Sequence, residues 1–202
     1  MNIDSKTYSL HIKNYTPIQT QKKFIVFGNT LNHEMKHFFG WQHRMNGSYK
    51  KTAAYTITKD GSIYEHFNPK YHSEYFERKT LNPKSIVVLL ENDGWLLKDE
   101  KKNVFLTWIG DIYNGKEVFE KKWRGQSYWS PYTDNQINSA IELSKMLCKD
   151  FNIPFSAISH NTKVDRIVDY QGILYKSNLE KYYTDINPSW DFTRFKNEIE
   201  KQ

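Results

Sequence analysis

The histidines, with a few carboxylates and tyrosines, are where chemistry could reside. His33-Glu34-Met35-Lys36-His37 satisfies the HExxH pattern. On a helix, histidines at i and i+4 share a face and can ligate a metal, with the glutamate between them as a base. A solvated polar face is the alternative, because Gly40 follows at once. His43 falls in the same segment. His160 follows Phe155-Ser-Ala-Ile-Ser159, a short strand pattern that would deliver it at a C-terminal strand end. Asp185, within Thr184-Asp-Ile-Asn-Pro188, is either a site carboxylate or the cap of the turn that ends in the proline. His72 is a cleft residue or a surface histidine. Tyr55, Tyr64, Tyr71 and Trp41 read as core or cleft-wall aromatics.

A second group is aromatic and basic. Trp108, Trp123, Tyr128 and Trp129 crowd around Lys121, Lys122 and Arg124. Rings beside cations suit sugar stacking and anionic peptides. They equally suit a protein interface, where Trp, Tyr and Arg concentrate. Cys148 falls on an apolar helical face and reads as a buried structural thiol.

The whole chain bounds what these residues can serve. Its 202 residues suit one domain, 1–202, with 1–22 as a lead-in. One cysteine rules out a disulfide framework or a cysteine-rich metal motif. An aromatic content of 16% argues against disorder despite only 38% apolar residues. The net charge of +6 is compatible with an anionic partner and equally with a solvated lysine-rich surface; no run of four basic residues occurs, so nucleic acid is not expected. No apolar stretch approaches the ~20 residues that cross a bilayer, and Met1–Lys6 is polar with no apolar leader. No membrane partner is expected, and the protein is expected in the cytoplasm or a virion.

Several elements position the candidates. Tyr8–Lys13 alternates like a lead-in strand, and Phe24–Phe27 is a wholly apolar strand running into Gly28-Asn29-Thr30. Asn32–Arg44 has helical composition, closed by Gly47. Ala53–Thr58 and Ser62–Phe67 flank Lys59-Asp60-Gly61, a hairpin turn signal. Lys84–Leu90 is a buried strand, and Trp95–Leu97 and Val104–Ile109 continue the sheet. Thr133–Phe151 is the best helix: Thr133 and Gln136 make a capping box, and Ile137, Ala140, Ile141, Leu147 and Cys148 share a face. Residues 161–185 read as a long loop with a hairpin near Gly172–Tyr175, and Phe192–Glu200 as a helix capped by Asp191.

Taken in order, these motifs resemble the zinc-dependent N-acetylmuramoyl-L-alanine amidases of the type 2 class and the peptidoglycan recognition proteins. The resemblance spans about Phe24 to Phe195. It rests on the strand before Gly28, the Tyr55-Thr-Ile-Thr-Lys-Asp-Gly hairpin, Tyr71-His-Ser73, Asn82-Pro-Lys-Ser-Ile-Val-Val-Leu-Leu90, Tyr132–Gln136, Ile153-Pro154 with His160, and Thr184–Pro188. It implies an α/β fold with a central mixed β-sheet flanked by helices. It also implies cleavage of the lactyl–L-alanine amide by a zinc ion held on two histidines and a Cys or Asp.

Carried over position by position, that set is incomplete. Gly28 stands where the family has its first histidine, with Asn29 beside it. The second ligand maps onto His160; a rival frame aligns Lys176-Ser-Asn with the family's His-Ser-Asn. The third maps onto Asp185, and Tyr183 occupies the position of a family lysine. Ala53 and Leu89 replace the proton-handling tyrosine and glutamate. The resemblance therefore implies metal ligands at His160 and Asp185 in a degenerate zinc site. A substrate groove would be lined by Tyr55, His72, Asn29 and Tyr183, engaging a peptidoglycan fragment or another anionic glycan with impaired hydrolysis. Two alternatives stay open. One is a phage assembly protein that reuses the fold to bind other virion proteins. The other is an active amidase with a rearranged metal site.

Overall fold

A computed structural model describes residues 1–160, 162, 164, 167–179 and 182–201. Two sheets are present. The larger is built from β1 (Ile3–Asp4), β2 (Phe24–Asn29), β3 (Tyr55–Ile57), β4 (Ile63–Glu65), β5 (Ser85–Leu90) and β10 (Gly172–Tyr175), in the order β1-β4-β3-β5-β2-β10. Strands β3, β5, β2 and β10 run parallel, β4 is antiparallel to β3, and β1 is parallel to β4. Every residue of β2 and β5 is buried. Parallel central strands covered on both faces need such near-continuous apolar runs.

The sheet's alternation sorts the helices. Phe27, Val88 and Tyr55 lie side by side in register, and so face one way. Phe27 meets Phe195 of α4 (Phe192–Glu200), with ring centroids 5.5 Å apart. Helix α2 (Asp134–Phe151) packs on the same side and contacts both β3 and α4. Gly28, Leu89 and Thr56 form the next register row and face the opposite side. There Thr56 Oγ1 lies 3.0 Å from Nε2 of His37 in α1 (Lys36–His43).

The expected hairpin is present, with Gly61 at φ +88°. A Cβ there would also come within 3.0 Å of the Asn135 carbonyl, so glycine is required twice over. The capping box on α2 forms with Thr133 as N-cap, and Asp191 caps α4 by accepting the Arg194 N–H at 2.9 Å.

Five expectations need correction. Tyr8–Lys13 is not a strand; its alternation reflects Leu10, which is buried and hydrogen-bonded to the His66 carbonyl. The helix after β2 begins only at Lys36, because Leu31, Glu34 and Met35 take left-handed φ angles of 53–56°. Trp95–Asp99 (β6) and Val104–Thr107 (β7) do not extend the main sheet. They pair with Phe119–Trp123 (β8) and Gln126–Trp129 (β9) in a second, antiparallel sheet ordered β7-β6-β9-β8. Phe155–Ser159 makes only a single bridge, Ala157 to Ile173. Gly172–Tyr175 is no hairpin but a parallel edge strand on β2. Part of the expected 161–185 loop lies outside the described residues. None of the described helices is long and apolar enough to cross a membrane.

Candidate functional site

The row that includes Gly28 leads to the site. The last paired residues of β10 and β2 are Tyr175 and Phe27. The next residue, Lys176, opens the short helix α3 (Lys176–Leu179). Lys176 Nζ lies 3.5 Å from Asp185 Oδ2, with only 17% and 5% of the two side chains exposed. The same carboxylate oxygen accepts the Asn29 N–H at 3.1 Å. The ammonium also lies over the Tyr183 ring, 4.0 Å from its centroid, and 5.2 Å from that of Tyr75. Burial works against the lysine's charge, but Tyr75, Asp185 and Tyr183 outweigh it and hold its pKa above the ordinary lysine value. Burial pushes the Tyr75 phenol up to about 12, with Lys176 pulling the other way.

No room remains in front of Gly28. A Cβ there would come within 2.9 Å of the Tyr75 hydroxyl, 3.1 Å of Asp185 Oδ2 and 3.2 Å of Leu89 Cδ2. The β8–β9 turn covers the flank: the Arg124 guanidinium donates to the Ser177 carbonyl at 2.8 Å and to the Tyr183 carbonyl. Arg124 therefore ties the second sheet to both chain segments that supply the pair.

Asn29, Tyr183 and Asp185 are thus brought together. The remaining candidates make other contacts. His160, expected beside Asp185, stacks on Phe192 at 4.2 Å and leans on Trp123 at 4.8 Å. Its Nε2 is buried without a partner, and burial, then Lys121 and Arg124, lower its pKa to about 4. The residue that meets Asp185 is Lys176, as in the rival frame of the sequence. Tyr55 faces α2 and donates to Glu65 Oε2 at 2.7 Å, on the opposite side of the sheet from Gly28. His72 bridges to Thr16 and lines a groove with Lys51 and Glu74.

The HExxH reading also fails on geometry. His33 precedes α1 and points its Nδ1 to Asp93 at 3.1 Å, whereas His37 is buried against Thr56. Left-handed φ angles at Glu34 and Met35 separate the two, so they do not share a helix face. Among the described residues, no cluster of three or more His, Cys, Asp or Glu could hold a metal ion. Nothing in the sequence places Tyr75 or Arg124 at this site; both act on chain segments far away in sequence.

A family model described as N-acetylmuramoyl-L-alanine amidase matches residues 18–170. No curated protein matches the chain. Among solved structures, the endolysin N-acetylmuramoyl-L-alanine amidase LysCS from Clostridium intestinale is similar at 14% identity, covering 98% of this chain and 95% of that one, with a TM-score of 0.58. A point mutant of PlyL is 12% identical over the full length of both chains, with a TM-score of 0.57. The amidase AmiD from E. coli, in complex with the substrate anhydro-N-acetylmuramic acid-L-Ala-D-gamma-Glu-L-Lys, is 14% identical, covering 91% of this chain and 59% of that one, with a TM-score of 0.55. At these identities the likeness is one of fold.

Proposed function

Because this chain belongs to the N-acetylmuramoyl-L-alanine amidase family, we propose that it engages peptidoglycan fragments without hydrolysing them through zinc. The observation that carries this reading is the Lys176–Asp185 pair, whose carboxylate lies 3.1 Å from where a Cβ on Gly28 would sit. A catalytic zinc needs three donors with lone pairs and one open position. Here the first position has no side chain, the second presents a protonated ammonium, and only Asp185 has lone pairs to offer. The donors do not fit zinc. The ammonium instead supplies the positive charge that Asp185 needs when buried.

Proton handling is affected as well. Leu89 lies beside Gly28 and is apolar, and Ala53 is fully buried. Neither can act as an acid or base, a contribution typically worth ~10²–10⁴ in rate. Binding does not depend on these groups. Support for it comes from the family and from the AmiD neighbour, whose structure is a complex with a muropeptide substrate.

Titration of the purified protein with soluble muropeptide, followed by calorimetry and by assay for newly freed alanine amino groups, tests both halves. Saturable binding with no release of amine is expected. Zinc-stimulated release would overturn the non-hydrolytic half, and absence of binding would overturn the other.

A further inference from the structure

A second polar concavity lies where the segments that follow β2 and β5 meet. These strands are parallel neighbours. From β2 the chain crosses to β3 by way of α1, and from β5 it crosses to β10 by way of α2. The two crossovers leave in opposite directions, and their helices cover opposite faces of the sheet. In open α/β sheets, ligands bind outside the carboxyl ends of the strands at such a reversal. A cavity of about 690 Å³ lies there, lined by His33, Glu34 and Met35 after β2, by Glu91 and Asp93 after β5, and by Tyr113. That volume suits a small molecule.

Three side chains form a hydrogen-bonded line beside this cavity. His33 Nδ1 lies 3.1 Å from Asp93 Oδ1, and Lys36 Nζ lies 2.9 Å from His33 Nε2. A carboxylate only accepts, so Nδ1 carries the ring proton and Nε2 turns its lone pair to the Lys36 nitrogen. The Asp93 side chain is only 6% exposed, and Lys59 Nζ holds its other oxygen at 3.1 Å. Lys59 is thus committed to the carboxylate, whereas Lys36 is exposed and held by the imidazole. A base within hydrogen-bond reach of a nucleophile, itself oriented by a third group, is the arrangement that activates nucleophiles.

A second observation is independent of these distances. The turn that folds Lys36 back onto His33 places Glu34 and Met35 at φ 53° and 56°, in the left-handed region, and neither is a glycine. Across that turn the Lys36 N–H donates to the His33 carbonyl at 3.2 Å. Non-glycine residues are held in this region at an energetic cost, and such positions cluster at functional sites.

We propose that Lys36 is a nucleophile that forms an imine with an aldehyde or ketone at this cavity, with His33 as its acid–base partner and Asp93 as the positioning residue. The Lys36 nitrogen attacks the carbonyl carbon, and a C–N bond forms. His33 Nε2 carries protons from that nitrogen to the oxygen. The C–O bond then breaks, and the oxygen leaves as water with both amine protons, giving C=N. The site shares no residue with the Lys176–Asp185 cluster and stands independently of the peptidoglycan reading.

The probe is propionaldehyde with cyanoborohydride, which reduces each imine to a stable alkyl-lysine. The protein is sampled at short times near neutral pH, and the extent of reaction at each lysine is read by peptide mass spectrometry. Acid–base assistance is typically worth ~10²–10⁴ in rate, so Lys36 should react at least about tenfold faster than Lys13 and Lys101, which are also exposed. The His33 side chain is 36% exposed, so His33→Ala keeps the fold, and it should bring Lys36 down to the rate of the other two. Asp93→Asn should slow Lys36 and leave Lys13 and Lys101 unchanged; if that variant fails to fold, His33→Ala decides. A wild-type Lys36 no faster than Lys13 and Lys101 would overturn the proposal, as would an excess that either folded variant leaves intact.

Discussion

Lys176 Nζ lies 3.5 Å from Asp185 Oδ2, the same oxygen that lies 3.1 Å from where a Cβ on Gly28 would sit. Three features meet here. A side chain is missing at 28, an ammonium stands at 176, and the Tyr75 hydroxyl fills the space that a residue at 28 would need. The space in front of Gly28 is filled, and the Asp185 carboxylate has a cation beside it.

Removing the lysine should be costly. Lys176→Met leaves the buried Asp185 carboxylate its Asn29 amide but removes its ammonium partner. Breaking a buried pair from one side typically costs about 3–5 kcal/mol. Denaturant unfolding should show a loss of that order, and Lys176→Met with Asp185→Leu should recover part of it. A Lys176→Met protein as stable as the wild type would show that the pair does not hold the segment.

Gly28→Ala should destabilise through overpacking, by about 1–3 kcal/mol. The nearest obstacle is the Tyr75 hydroxyl at 2.9 Å from the added Cβ. Tyr75→Phe removes that oxygen, so the double variant should be less destabilised than the sum of the single changes. Additive losses would mean that the tyrosine does not occupy this space.

Stability should fall on acidification below neutrality. Burial lowers the pKa of His66 to about 4 and, with the nearby His66 adding to it, that of His37 to about 3, from 6.5. Both stay neutral in the folded state while the unfolded chain takes up protons. Their contribution is complete above pH 6.5 and lost progressively as the pH drops toward the folded values. At pH 5 the loss is up to about 2 kcal/mol for each. Urea unfolding at pH 7 and pH 5 should show a lower midpoint at the acidic value, and an unchanged midpoint would contradict the buried-neutral assignment.

Local rules made much of the fold legible. The apolar runs of β2 and β5, the Asp60-Gly61 turn and the Thr133–Gln136 box each carry their own signal, and each forms where that signal lies. The failures share a cause. Strand β10 is only four residues long, and what makes it a strand is its pairing with β2. The second sheet shows the right alternation, but alternation does not say which sheet a strand joins. The late start of α1 depends on left-handed backbone at Leu31, Glu34 and Met35, none of them a glycine. At the site, motif order points to Gly28 and Asp185, and it offers His160 and Lys176 as rivals for one position. Local sequence does not say which of the two lies against Asp185; in the fold the Lys176 ammonium is 3.5 Å from its carboxylate.

Zinc stoichiometry tests the central claim most directly. The purified chain, equilibrated with zinc at neutral pH and dialysed, should retain far less than one zinc per chain by elemental analysis, and Asp185→Ala should not alter that figure. One zinc per chain, lost on Asp185→Ala, would contradict the account.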